Sequence, residues 1–259
     1  VVLNEKTLWI GGPSPLRPNY YGGNRKNVYP TVKKIQQLLH DEKYDEAQSL
    51  LSELTCEGTG WGYGSYQLLC DMTLDFTGIE ESVISDYRRS LDMDKSLYTC
   101  AFTVDGVRHT REAFASYPDR VICIRLRCDK SGALNFRLSL DKRQEGSEIE
   151  VCASRLDYFG ALSDNALRYH GTFVVKNKGG SVSVDKDSLV VSEADEAVIL
   201  FCAATDYSDE FPSYRSGIDP KDITEKILSD CAASDFDALY KKHYDDYSEL
   251  FGRVRLALN

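Results

Sequence analysis

The chain has 259 residues, 42% hydrophobic and 28% charged, long enough to bury a sizeable core in one large domain or two smaller ones and too apolar for disorder. Its formal net charge is −10, and Lys33-Lys34, Arg88-Arg89 and Lys241-Lys242 stand isolated among acids, which argues against a nucleic-acid partner because phosphate binding needs a basic cluster. No apolar stretch approaches the roughly 20 residues that cross a bilayer, so a membrane association is not expected.

The chain opens on two valines and a leucine, without methionine, and LNEKTLWIGGP follows at once. This start reads as the last rungs of a β-strand, so the expectation is that the chain is cut from something longer and that an edge strand precedes Val1. After a Gly- and aromatic-rich loop, PSPLRPNYYGGNRKN, comes Pro30 and then Val32, Ile35, Leu38 and Leu39, followed after a short break by Tyr44, Ala47, Leu50, Leu51 and Leu54. Both series have the three-and-four spacing of an amphipathic helix, which predicts a helical hairpin over about 30–55. A second such loop, CEGTGWGYGSY, leads into SYQLLCDMTLDF, where Leu68, Cys70, Met72, Leu74 and Phe76 alternate with mostly polar residues as on a half-buried strand.

Alternation recurs in YTCAFTVDGVRHTREAF, with Asp105-Gly106 between two strand-like runs. A two-residue hairpin turn needs positive φ, which Asp-Gly supplies. Further strands are predicted at VICIRLRC, ALNFRLSL, EIEVCAS, LRYHGTFVVKN, SVSVDKDSLVVS and AVILFCAATDY, with turn signals between them and no helical crossover. Strands joined in this way form antiparallel sheets packed face to face. Phe236, Leu239, Tyr240, His243, Tyr247, Leu250 and Phe251 then mark a closing helix over about 235–251. The predicted fold is mainly β, an antiparallel sandwich with a small helical insertion and a C-terminal helix, in one domain over 1–259.

Of the eight cysteines, Cys70, Cys100, Cys123, Cys128, Cys152 and Cys202 fall inside strand-like runs, where a small apolar residue fits. Reduced thiols and a reducing, cytoplasmic compartment are therefore expected. There is no C-x-x-C pair, and His40, His109, His170 and His243 are scattered, so no metal site is expected. GTGWGYG matches no phosphate-cradle pattern, since a strand rather than a helix follows it. The carboxylate pairs Asp92/Asp94, Asp71/Asp75, Glu80/Glu81 and Asp245/Asp246 read as solvated faces, because a catalytic acid needs burial or a like charge in a cleft to raise its pKa. No G-x-S-x-G elbow is present. What remains is aromatic: Trp9, Trp61, Tyr20, Tyr21, Tyr63 and Tyr66 lie in loops or at strand ends, where rings stack on sugars or anchor interfaces.

Taken in order, LNEKTLWIGGP, PTVKKIQQLLHDEKYDEAQSLL, SYQLLCDMTLDF, SDYRRSLDMDKSLYTCAFTVDGVRHTREAFASYPDRVICIRL and LYKKHYDDYSELFGRVRLAL resemble the N-terminal region of glycoside hydrolase family 95, the α-L-fucosidases. The series covers nearly the whole chain. One departure is that the family usually has Pro and Gly where Leu68 and Cys70 stand. The resemblance implies an N-terminal β-supersandwich, then a helical linker, an (α/α)6 barrel holding the active site, and a small β domain. It also implies inverting hydrolysis without a metal or other cofactor, with the acid and the water-activating residues in the barrel. Asn259 would precede that barrel, so no catalytic residue is assigned.

On this reading the partners are the chain's own catalytic barrel and a fucosylated or related glycan, with L-fucose and L-galactose both open. The candidates for the barrel interface or the rim of the sugar cleft are Asn4, Glu5, Trp9, Trp61 and Tyr66, with Thr7 and the turn Gly11-Gly12-Pro13 beside them. An autonomous carbohydrate-binding sandwich module is the alternative.

Overall fold

The computed structural model describes residues 1–14, 16, 25–54, 64–76, 79 and 83–255. Strands β1 (Val2–Leu3) and β2 (Trp9–Ile10) precede the helices α1 (Tyr29–His40) and α2 (Tyr44–Ser49), which end in a 3-10 turn, Leu50–Glu53. Then come β3 (Ser65–Tyr66), β4 (Cys70–Asp75), β5 (Ser85–Asp92), β6 (Leu97–Val104), β7 (Val107–Ser116), β8 (Val121–Cys128), β9 (Leu134–Lys142) and β10 (Glu148–Cys152). The remaining strands are β11 (Arg155–Ala161), β12 (Arg168–Lys178), β13 (Ser181–Asp185), β14 (Ser188–Ala194) and β15 (Glu196–Thr205), followed by α3 (Pro220–Cys231) and α4 (Phe236–Phe251).

Two antiparallel sheets dominate. One has the order β1-β4-β9-β14-β13 and the other β10-β11-β12-β15-β8-β7-β6-β5, while β2 and β3 form a separate two-stranded ribbon. The expected hairpin is in place: Val104 pairs with Val107, and Asp105 and Gly106 both take positive φ between them. The fold is thus mainly β and sandwich-like, as the alternating pattern requires.

Alternation decides which residues fill the space between the sheets. Met72, Phe136, Leu138, Leu189 and Val191 come from the smaller sheet and meet Leu156, Tyr158, Tyr169, Phe173, Ile199 and Phe201 from the larger one. The run Val198-Ile199-Leu200-Phe201-Cys202 in β15 is apolar at every position because the strand is covered on both sides. Ile199 and Phe201 face the sandwich, whereas Val198, Leu200 and Cys202 pack with Ile227 and Cys231 of α3 and with Phe236 and Leu239 of α4. The molecule therefore has three layers: small sheet, large sheet and helices. Burial of a large side chain such as Phe173 contributes about 1.5–3 kcal/mol relative to leaving it exposed.

The fold departs from the sequence reading in four places. Helix α3 lies outside the two expected helical regions. Its start carries an Asp-Pro signal: Asp219 caps it by accepting from Lys221 N at 2.9 Å, and Pro220 sits in its first turn. Strand β5 was not expected because nearly all its residues are exposed, so it lacks apolar alternation. Strand β11 was not expected because Asp157 occupies a buried position within it. In SYQLLCDMTLDF the alternation starts later than expected: Leu69 is fully buried and Leu68 is 43% exposed, with the regular strand running only from Cys70.

The helical hairpin forms as expected around Ile35, Leu38 and Ala47. No helix among the described residues is long and apolar enough to cross a membrane. Among the same residues no group of three His, Cys, Asp or Glu side chains has the arrangement to hold a metal ion.

Candidate functional site

The ribbon of β2 and β3 builds the site. Trp9 pairs with Tyr66 and Ile10 with Ser65. The close approach depends on Gly64, which has φ +70° and whose added Cβ would lie 1.8 Å from the Ile10 carbonyl oxygen. Pairing places the Trp9 and Tyr66 rings 5.5 Å apart at 51°, and they remain 46% and 42% exposed. Trp9 Nε1 donates to the Lys6 carbonyl at 3.2 Å, which fixes the orientation of the indole.

The backbone under Trp9 is clamped from the β11–β12 connection. Asn165 is buried, and its Nδ2 donates to the carbonyls of Trp9 at 2.9 Å and Gly11 at 2.8 Å, while its Oδ1 accepts from Leu167 N at 3.1 Å. Its neighbour Asp164 accepts from Gly11 N at 2.7 Å through Oδ2, and Ser14 Oγ donates to the Asp164 carbonyl. Arg215 Nη2 in turn donates to the Asn165 carbonyl at 2.8 Å. The Arg215 guanidinium also lies 3.6 Å from the buried Asp206 carboxylate, which is held by Arg168 at 3.0 Å. A run of residues from the last part of the chain thus fixes the conformation of residues 9–11.

Together these elements enclose an open cleft of about 410 Å³, with Lys6, Thr7, Trp9, Tyr207, Tyr214 and Arg215 around its walls and Gly11, Gly12 and Pro13 along one edge. Thr7 is braced at its edge. Its hydroxyl donates to Glu5 Oε2 at 2.6 Å and lies 2.5 Å from Thr205 Oγ1. No carboxylate is among the described residues lining this cleft. It offers aromatic faces and cationic or hydroxyl donors, a set suited to stacking and hydrogen bonding but without the acid and base of glycosidic cleavage.

Of the five sequence candidates, Trp9 lines this cleft, and Tyr66 lies beside it against the Trp9 ring. Glu5 supports them from the side: it accepts from Thr7 N at 2.6 Å, and after burial its charge is the second cause pushing the Tyr66 hydroxyl pKa up. Asn4 is exposed and lies on a neighbouring groove with Ser116 and Arg120. Trp61, like Tyr20, Tyr21 and Tyr63, lies outside the described residues. The sequence reading missed Asp164, Asn165, Tyr207, Tyr214 and Arg215. The signal available was the polar triplet Ser163-Asp164-Asn165 set between Leu162 and Leu167, both of which are buried.

The carboxylate pairs divide. Asp71 is not on a solvated face, since it is largely covered and accepts from Arg143 Nε at 2.9 Å. Asp92 ends β5 while Asp94 lies in the following turn, so the two do not share a strand face. Asp92 is held below the usual carboxylate range by its hydrogen bond and ion pair with Lys95. Asp245 pairs with Lys241 along α4 at 2.5 Å, and Glu80 and Glu81 lie outside the described residues. His109 stacks on Phe102 with centroids 5.1 Å apart, and His170 is bonded to Thr224 of α3 at 2.8 Å.

The three layers and the clamped aromatic cleft define an antiparallel β-sandwich domain with a braced aromatic edge. The chain belongs to the family described as glycosyl hydrolase family 65, N-terminal domain, whose model matches residues 1–210. It is 28% identical to Alpha-L-fucosidase 2 of Arabidopsis thaliana over 99% of this chain and 32% of that protein. It is also 28% identical to a Probable alpha-fucosidase A of Aspergillus niger, over 100% of this chain and 33% of that one. A Probable alpha-fucosidase A of Aspergillus oryzae is 25% identical over 99% of this chain and 36% of its own length. The chain therefore spans about a third of the curated relatives it matches. Among solved structures, a Putative kojibiose phosphorylase from human microbiome matches with a TM-score of 0.53 at 11% identity, covering 75% of this chain and 30% of that one. That likeness concerns the fold.

Proposed function

We propose that this chain is the non-catalytic N-terminal domain of an inverting α-L-fucosidase of the family 95 type, which supports a catalytic barrel and lends its aromatic edge to the barrel interface or to one wall of the sugar cleft. The observation that carries the reading is coverage. Three α-fucosidases align with this chain over 99–100% of its length while extending about three times as far. The composition of the cleft points the same way, because Trp9, Tyr207, Tyr214 and Arg215 are side chains that bind and position rather than cleave. Inverting hydrolysis needs two carboxyl groups roughly 6.5–9.5 Å apart, one of them with a raised pKa. Among the described residues, Asp92 and Asp195 are carboxylates held below the usual range by their hydrogen bonds.

The test compares the 259-residue chain with a polypeptide of the relatives' length that carries it, using 2′-fucosyllactose as substrate. The longer protein should release fucose and the chain alone should not. In the longer protein, Trp9→Ala should lower kcat/KM by about tenfold or weaken the association of the two parts, as expected for loss of an aromatic anchor. Fucose release by the isolated chain at a comparable rate would overturn the assignment. Binding of a fucosylated glycan by the isolated chain at its Trp9 edge would favour the carbohydrate-binding module instead.

A further inference from the structure

Five buried side-chain polar atoms among the described residues make no hydrogen bond, and three of them, Arg155 Nη2, His170 Nε2 and Thr172 Oγ1, fall in one place. The register explains why. Asp157 of β11 stands opposite Thr172 of β12, and Phe159 stands opposite His170, so Arg155, Asp157, Phe159, His170 and Thr172 share the sheet face that α3 covers. Asp157, His170 and Thr172 are each more than nine-tenths buried.

The proton positions follow from the bonds made. Thr224 Oγ1 donates its one proton to the Lys221 carbonyl at 2.9 Å, so at 2.8 Å it accepts from His170 Nδ1–H. Burial favours the neutral ring, in which this bonding leaves the proton on Nδ1 and the Nε2 lone pair 3.9 Å from Asp157 Oδ1. Two acceptors thus face each other. Arg155 donates from Nε to Asp157 at 2.7 Å, and its Nη2 is a donor 3.7 Å from Glu225. The group that satisfies this set both donates and accepts. A carboxylate or phosphate would be repelled by Asp157, and an ammonium by Arg155, whereas a hydroxyl fits both.

His170 also lines a cleft of about 380 Å³ that opens beside the first turn of α3, with Glu150, Phe159, Arg168, Asp219 and Lys221 around it. Two cations and two carboxylates leave its rim without net charge. The Phe159 ring is half-buried, and His170 stacks near it with centroids 6.1 Å apart and planes 20° apart, so it offers a fixed apolar face at the mouth. We propose that this cleft is a second binding site, distinct from the Trp9 edge, for one neutral sugar ring that stacks on Phe159 and directs a hydroxyl toward His170, the member of the buried set that lines it. The two clefts lie at the start of β12, where Leu167 borders one and Arg168 the other.

The experiment is a 1H–15N NMR titration of the chain with L-fucose, D-galactose and lactose, using galactose 6-phosphate and galactosamine as charged controls. The neutral sugars should shift the amides of Phe159, His170 and Lys221 saturably, with millimolar affinity. Phe159→Ala should weaken binding by about tenfold, as loss of an aromatic platform does. Trp9→Ala should leave it unchanged. If Phe159→Ala fails to fold, Lys221→Met and Glu150→Gln at the exposed rim serve in its place, each expected to weaken binding by about threefold. The proposal is overturned if no neutral sugar shifts these amides at about 50 mM, if the charged analogues bind equally well, or if folded variants at Phe159, Lys221 and Glu150 bind as the parent does.

Discussion

Asn165 shows how much of the candidate site depends on one side chain. It spends both amide protons and its carbonyl on three backbone groups, two of them belonging to the Trp9–Gly11 segment. Asn165→Ala leaves those groups without partners in a buried setting and should cost about 2–3 kcal/mol, measured as a lower urea midpoint, together with a change in Trp fluorescence as the indole loses its fixed position. Unchanged stability would mean that the segment is held by Asp164 alone. The histidines make a second residue-level prediction. Burial pushes the pKa of His170 down, with Arg155 and Lys221 acting in the same direction and Asp157 and Asp219 opposing. His109 is shifted down by burial and by Arg111. The unfolded chain therefore takes up these protons first as the pH falls past about 6.5. Their contribution is fully present above that value and is lost progressively below it. Stability measured in urea should fall between about pH 6.5 and pH 5, above the carboxylate range, and His170→Gln should flatten part of that slope. An equal slope in parent and variant would remove His170 from the account.

At the scale of elements, helix α4 offers a direct test because its cap is isolated from the site. Asp235 accepts from Ala238 N at 2.8 Å, and loss of such a cap costs about 1 kcal/mol. The first turn is also tied to the sheet: Asp237 receives Arg125 Nη1 at 2.9 Å, and the same guanidinium lies 3.8 Å over the Phe236 ring. Asp235→Ala should lower stability by about 1 kcal/mol, whereas Arg125→Ala, which removes the guanidinium bonded to Asp237 and packed on Phe236 and leaves Glu112 with Arg127 alone, should cost about 2 kcal/mol. The two urea midpoints check the ranking, and an equal loss would contradict it. These elements also show what the sequence made legible. Half-buried strands such as β9 alternate cleanly and were readable, as was the Asp105-Gly106 turn, because period and turn chemistry are local. Strand β5 hid because an exposed edge strand carries no apolar signal. Helix α3 hid although two signals existed: the Asp219-Pro220 start, and the unbroken apolar run of β15, which calls for a cover on its second face. The same holds for the site. Trp9 and Tyr66 stood out as aromatics, but their clamp is made by Asp164, Asn165 and Arg215, about 150 to 200 residues away along the chain, and only the folded register brings them together.

For the molecule as a whole, the cysteines test the layering and the redox expectation at once. Cys70, Cys100, Cys123, Cys202 and Cys231 are buried, Cys128 is half-buried and Cys152 is exposed at the end of β10, and none of these seven is in a disulfide. Burial pushes the thiols of Cys70, Cys123 and Cys202 up to about 12 and that of Cys128 to about 11, so little thiolate forms at them near neutral pH. Their positions span both interfaces, with Cys70 between the sheets and Cys123, Cys202 and Cys231 between the large sheet and the helices. A thiol reagent added to the native chain at pH 8 should therefore modify Cys152 quickly and Cys128 slowly. Cys152→Ser should remove that fast reaction, and Cys56→Ser assigns the one cysteine outside the described residues. The buried five should react only as fast as the layers separate, with both interfaces opening together if the sandwich unfolds as one unit. Denatured without reductant, all eight cysteines should titrate as free thiols. Early labelling of Cys123, Cys202 and Cys231 while Cys70 stays protected would instead mean that the helices leave the large sheet before the sandwich opens, making the helical layer a separate unit of stability.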